Sequence, residues 1–195
     1  YQLLQVMRRL ALSVMLLCVP FAMAADVEAG RRKSQVCAAC HGADGNARLP
    51  GVPSLAAQPA MHTFLQLVQF RAKRRGDAQM SPFSEKLSDG DMRDIAAYYA
   101  AQAARPSEIQ LDQAKAALGA RLAQMHFCGS CHMPDMSGQN QIPRLAGQNY
   151  EYLVKQLRRL KSGARRDIDG TMASAAQALS EQDIENVSHF LSGLK

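Results

Sequence analysis

The chain has 195 residues, of which 47% are hydrophobic and 21% charged, and a formal net charge of +6. That length holds one ordinary domain or two small ones. The positive charge is modest and no aromatic residues interleave with it to form a stacking platform, so nucleic acid is excluded as an expected partner.

In chain order, the first element is a targeting signal. Met7-Arg8-Arg9, the apolar run from Leu10 to Leu17 and the small residues Ala22-Met23-Ala24 read as a secretory signal peptide over residues 1–24, cleaved after Ala24. Tyr1 to Val6 precede a plausible initiator, Met7, and read as an over-extended start. The apolar run is short for a bilayer span, which makes an uncleaved anchor the lesser alternative. Removing these residues takes away Arg8, Arg9 and Cys18 and leaves a charge of +4. Leu17 before Cys18 does not suit a lipoprotein anchor. Export places the mature protein in the periplasm.

After a short helical stretch predicted from Val27 to Val36 comes Cys37-Ala38-Ala39-Cys40-His41. An apolar group at Phe64, Leu65, Leu67, Val68 and Phe70 predicts a helix that ends near Arg71 to Gly76. Ser88-x-x-Asp91 has capping-box form and starts a helix carrying Ile95, Tyr98 and Tyr99. Ala103-Ala104-Arg105-Pro106-Ser107-Glu108 then reads as a linker. The pattern repeats beyond it. A helix over Leu111 to Met125 leads into Cys128-Gly129-Ser130-Cys131-His132, a second over Tyr150 to Lys161 ends before Gly163, and Ser180-x-x-Asp183 opens the last, with Val187, Phe190 and Leu191. Val52 to Gln58 lies over Ile142 to Gln148 at an offset of 90, and Leu87 to Asp91 over Leu179 to Asp183 at an offset of 92. No alternating strand pattern appears. The expected fold is all-α: two tandem helical domains, 25–107 and 108–195, each wrapped round a bound group that supplies apolar area a domain of this size lacks.

That group follows from the pentapeptides. Each cysteine sulfur of Cys-x-x-Cys-His adds to a haem vinyl group, and the histidine presents a nitrogen to the iron. Cys37, Cys40, Cys128 and Cys131 are therefore the attachment residues for two covalently bound haem c groups, with His41 and His132 as iron ligands. A redox dithiol wants a βαβ setting and gives the histidines no role. A zinc site from the same cysteines would close a loop of nearly ninety residues, far from ordinary zinc spacing.

The second axial ligand decides between electron transfer and substrate binding. Candidates are Met61, Met80, Met92 and His62 in the first half, and Met125, Met133, Met136, Met172, His126 and His189 in the second. Repeat register separates them: Met80 maps onto Met172 at the offset of 92, both seven residues before the Leu-Ser-[Asp/Glu] helix start. His62 falls on Tyr152, Met133 on Gly42 and Met136 on Gly45. Met80 and Met172 are the expected ligands, the rest being core fillers or surface residues. Thioether opposite imidazole raises the reduction potential and leaves no open iron position, which describes an electron carrier rather than an enzyme.

These motifs resemble the dihaem cytochrome c4 family, periplasmic carriers built from two class I cytochrome c domains. The resemblance rests on both Cys-x-x-Cys-His motifs, Val52-Pro53-Ser54-Leu55, Ile142-Pro143-Arg144-Leu145, Tyr152 to Leu157, Met80-Ser81-Pro82-Phe83 and the Leu-Ser-[Asp/Glu]-x-Asp helix starts, and spans residues 26–195. It implies that Pro53 and Pro143 place backbone carbonyls against the second ring nitrogens of His41 and His132. It also implies two haems facing each other across a domain interface, and onward transfer to a terminal oxidase or another respiratory reductase. The chain departs from the pattern in three places: Met172 lacks the Ser-Pro-Phe that follows Met80, Ala57 stands opposite Gly147, and His62 replaces an aromatic.

The expectation is thus a monomeric periplasmic electron carrier in a respiratory chain, meeting redox protein partners and touching the membrane only through a membrane respiratory complex or terminal oxidase. The alternatives are a fixed electron-transfer subunit of a dehydrogenase or oxidase and, further off, a dihaem peroxidase. Two basic clusters, Arg71 to Arg75 and Arg158 to Arg166, read either as helix ends facing the negative dipole terminus or as a steering surface for an acidic partner.

Overall fold

The structure, a computed structural model, describes residues 25–108 and 110–195. The expected signal peptide lies outside the described residues. The first half comprises α1 (Val27–Lys33), a 3-10 turn (Ser34–Cys37), α2 (Ala38–His41), α3 (Ala60–Arg71), α4 (Met80–Glu85) and α5 (Asp89–Ala100). In the second half follow α6 (Gln113–Met125), α7 (Cys128–His132), α8 (Tyr150–Lys161), α9 (Thr171–Gln177) and α10 (Glu181–Gly193). Among the described residues there is no strand beyond an isolated bridge between Gln139 and Ile142.

Short polar signals set where the helices begin. The Asp26 side chain accepts the Ala29 N–H at 3.0 Å and Asp112 accepts the Lys115 N–H at 3.0 Å, capping α1 and α6. Ser88 and Asp91 close a reciprocal box on α5, with bonds of 3.0 and 3.1 Å. Ser180 and Asp183 repeat it on α10 at 2.9 and 3.1 Å. The two boxes fall where the sequence places them, and the caps at Asp26 and Asp112 are additional. The two short helices α4 and α9 are not anticipated by periodicity, because six or seven residues hold too little of a 3.6 repeat to register.

The first and last helices of each half cross at a glycine. A Cβ on Gly30 would sit 2.0 Å from the Asp94 carbonyl oxygen, and one on Gly119 would sit 2.0 Å from that of Asn186. Both crossings therefore admit hydrogen alone. Ion pairs lock the same crossings: Lys33 meets Asp91 at 2.7 Å and Asp94 at 2.6 Å, and Lys115 meets Glu185 at 3.0 Å. The protein's own core is small. Ile95, Tyr98 and Tyr99 form the first-half cluster, while Ala123, Met136, Ala146, Leu153, Val187 and Leu191 form the larger one in the second. Ala57 takes φ 55° where Gly147 takes φ 69°, so the departure between halves is one of residue and not of backbone.

Residues 103–108 carry no helix and are pinned to the first half. Asn46 accepts the Arg105 N–H at 2.8 Å and donates to the Ala103 carbonyl at 3.0 Å, and Arg105 pairs with Asp44 at 2.8 Å.

Candidate haem sites

Each pentapeptide is wound into a helical turn. Cys37 ends the 3-10 turn and Cys40 and His41 lie in α2, while α7 is the second pentapeptide itself. Helical winding sets the two sulfurs three residues apart on one side and the histidine a further position on. No disulfide joins the four described cysteines. Burial pushes the Cys37 and Cys128 thiols above their ordinary pKa, the reverse of a reactive redox dithiol. Among the described residues no group of three or more His, Cys, Asp and Glu could hold a metal ion, so the four cysteines do not assemble into one zinc site.

Both histidines are buried, with 5% and 4% exposure. His41 Nδ1 donates to the Pro53 carbonyl at 2.9 Å and His132 Nδ1 donates to the Pro143 carbonyl at 2.9 Å. This commits one nitrogen, fixes the tautomer and leaves Nε2 as the nitrogen that could hold a metal. Burial lowers both imidazole pKa values, with the proline carbonyls opposing it, so each ring is held neutral as a metal ligand must be.

Met80 opens α4 and Met172 is the second residue of α9; both are half-buried. Their backbone N–H groups are held by aspartates, Met80 by Asp77 at 3.0 Å and Met172 by Asp167 at 2.7 Å. Asp77 and Asp167 match at an offset of 90 while the methionines match at 92. The drift in repeat register is therefore an insertion between aspartate and methionine, where Gly170 turns the chain at φ 79°. The other methionines are dispersed. Met92 is fully buried, Met136 is a core residue at 5% exposure, Met133 follows His132 at φ 69°, and Met61 and Met125 face solvent. His189 is buried against Tyr150 with ring centroids 4.4 Å apart, a core histidine.

Between the halves lies a cluster that sequence reading did not single out. Arg75, 7% exposed, donates to the Tyr152 hydroxyl at 2.8 Å, to Gln156 Oε1 at 3.3 Å and to Gln66 Oε1. Arg165 donates to Gln156 Oε1 at 2.8 Å and to Gln66 Oε1 at 3.4 Å. Arg75 and Arg165, and Gln66 and Gln156, are repeat equivalents at an offset of 90. Two guanidiniums thus share neutral acceptors, and the Arg165 Nε is buried without a partner. Asp167 exerts a Coulombic pull on Arg165 but forms no ion pair with it, and two such guanidiniums call for a further anion, because burying charge with little counter-charge costs several kcal/mol per ion. A haem carries two carboxylates, so the donor set fits the group the pentapeptides attach.

The clusters read as possible steering surfaces are largely spent internally. Arg75 and Arg165 point into this interface. Arg71 pairs with Asp89 at 2.6 Å, Arg158 with Glu181 at 2.7 Å, and Arg159 and Lys161 donate to backbone carbonyls. These bonds hold the side chains within the molecule, and the steering reading rests on the charge they leave at the surface.

His62, the repeat partner of Tyr152, donates Nδ1–H to the Gln141 carbonyl at 2.9 Å across the halves. Burial, with Arg165 and Arg75 adding to it, lowers its pKa to about 4. The unfolded chain binds that proton at higher pH, so stability is complete above the ordinary histidine range and falls as pH drops from about 6.5 towards 4. Urea midpoints at pH 7 and pH 5 should show this loss, and His62→Tyr should remove most of it. An equal loss in the variant would place the acid sensitivity elsewhere.

Comparison with known proteins agrees with this geometry. Residues 25–98 match the family model for subunit III of cbb3-type cytochrome c oxidase, and residues 116–195 match that for cytochrome c. Cytochrome c4 of Pseudomonas aeruginosa is 36% identical over 180 residues, spanning 88% of this chain and 90% of that protein. The chain belongs to the cytochrome c4 family. It is a helical, dihaem c-type cytochrome, an electron carrier with two covalently bound haem c groups. The crystal structure of reduced recombinant cytochrome c4 from Pseudomonas stutzeri superimposes with a TM-score of 0.82 at 34% identity, over 88% of this chain and all of that one. A further relative, at 33% identity over 83% of this chain and 80% of its own length, is the thiosulfate dehydrogenase electron acceptor of Stutzerimonas stutzeri.

Proposed function

We propose that residues 25–107 and 108–195 are two cytochrome domains, one haem fixed by Cys37 and Cys40 with His41 and Met80 on its iron, the other by Cys128 and Cys131 with His132 and Met172. When bound, haem would supply a one-electron iron couple, which a methionine and a histidine ligand together would set to high potential. The chain's own residues do the rest. Proline carbonyls orient the imidazoles, aspartates hold the methionine-bearing turns, and Arg75 and Arg165 take haem carboxylates between the halves. The observation that carries the reading is duplication: the histidine–carbonyl bond and the aspartate–methionine turn occur in both halves. A histidine and a methionine on each iron would leave no position for substrate, which supports a carrier over an enzyme. The protein is exported to the periplasm as a monomer and passes electrons to a membrane respiratory complex or terminal oxidase. Among the described residues no helix is long and apolar enough to cross a membrane.

The test is mass and optical spectroscopy on the exported protein. Two haem additions and a reduced spectrum unmoved by carbon monoxide are expected. Fewer than two additions would remove the dihaem reading, and a spectrum that responds to carbon monoxide would reveal an open iron and favour a peroxidase. The relative named as an electron acceptor of thiosulfate dehydrogenase supports a second reading, a fixed partner of one dehydrogenase. Co-elution with a dehydrogenase at stoichiometric yield would favour it over a diffusing carrier.

A further inference from the structure

Two buried glutamines cross the junction between the halves in the same way. Gln148, 4% exposed, accepts the Ser54 N–H on Oε1 at 2.8 Å and donates Nε2 to the Ser54 carbonyl at 2.9 Å. Gln58, 5% exposed, accepts the Arg144 N–H at 3.0 Å and donates to the Arg144 carbonyl at 2.8 Å. A backbone N–H only donates and a carbonyl only accepts, so the orientation of each amide is fixed. The peptide units gripped in this way are the ones the histidines use. Pro53 O and Ser54 N belong to one peptide, as do Pro143 O and Arg144 N. One continuous chain therefore runs from His41 Nδ1–H through the Pro53–Ser54 peptide to Gln148, and another from His132 Nδ1–H through the Pro143–Arg144 peptide to Gln58.

We propose that Gln58 and Gln148 are positioning residues that act in trans, each tuning the axial histidine of the opposite half. Hydrogen bonds in series polarise one another. A peptide whose N–H is engaged carries more negative charge on its oxygen, and its carbonyl pulls harder on the imidazole proton. The imidazole becomes more electron-rich and favours the ferric iron. Gln148 thereby lowers the potential of the His41 haem and Gln58 that of the His132 haem, so each haem's potential registers whether the other half is docked. A merely structural role would hold the interface without assigning a haem to each glutamine.

The inference rests on His41 and His132 being iron ligands, and the experiment separates the two. In the reduced dihaem protein, proton NMR of the imidazoles identifies axial histidines by their haem ring-current shifts, before any substitution is made. Histidine signals without those shifts would remove the ligand reading. Potentials of both haems are then measured in Gln58→Leu and Gln148→Leu, with Arg159→Lys as a control that alters another bond across the halves, Arg159 to the Gly76 carbonyl. Gln148→Leu should raise the potential of the His41 haem and shift its Nδ1–H resonance, leaving the His132 haem unchanged. Gln58→Leu should do the reverse, and Arg159→Lys should move neither. No change, a change in the haem of the same half, or equal changes in both haems would overturn the proposal, the last showing only a loosened interface.

Discussion

Met80→His should lower the potential of one haem by on the order of a few tenths of a volt and leave the other nearly where it was. Axial ligands span about 0.8 V in haem proteins, and exchanging thioether for imidazole stabilises the ferric iron. Met172→His should move the second haem in the same direction. The two substitutions are read separately because each methionine sits on its own short helix, α4 or α9, with its own aspartate holding the backbone. Spectroelectrochemical titration resolves the two couples. Met172 is the sharper test, since a two-residue insertion precedes it and the Ser-Pro-Phe of the first half is missing. If Met172→Ala left two methionine-to-iron charge-transfer signals in the oxidised spectrum, the ligand would be another side chain.

What could be read from the sequence divides along physical lines. The caps at Ser88 and Ser180 were legible because their bonds are local, closing within three residues. The helix over Tyr150 to Lys161 was legible because its apolar residues recur at helical spacing. Attachment of two haems was legible because covalent chemistry demands a fixed pentapeptide. The interface was not, since its bonds join residues some 80 to 100 positions apart and no pattern in either segment declares its partner. A signal was nonetheless present. Gln58 with Gln148, Gln66 with Gln156, Arg75 with Arg165 and Asp77 with Asp167 are identical polar residues in repeat register. A polar side chain kept in both copies points to a role that both halves need, at the junction for the glutamines and arginines and in the methionine-bearing turns for the aspartates. Charge alone misled in the opposite direction: Arg75 and Arg165 lie in basic runs that resemble solvated surface, yet fold inward.

The inward arginines give the second large effect, and its sign is diagnostic. Arg75 and Arg165 face one another across Gln66 and Gln156, and neither forms an ion pair with a carboxylate among the described residues. Burial, reinforced by Arg75, pulls the Arg165 pKa down to about 10. Were this pair left uncompensated in the loaded protein, Arg75→Gln or Arg165→Gln would relieve both burial and like-charge repulsion, and the cytochrome would become more stable. Were haem carboxylates seated between them, either substitution would strip one side of a buried ion pair and cost about 3–5 kcal/mol. The expected result is the loss. Urea unfolding of the dihaem protein, followed by haem absorbance and by far-ultraviolet circular dichroism, should show lower midpoints for both single variants. The double variant should cost less than the sum of the two, because the arginines share acceptors and an anion. A rise in midpoint for either single variant would mean that the haem carboxylates lie elsewhere and that the buried charges are only tolerated.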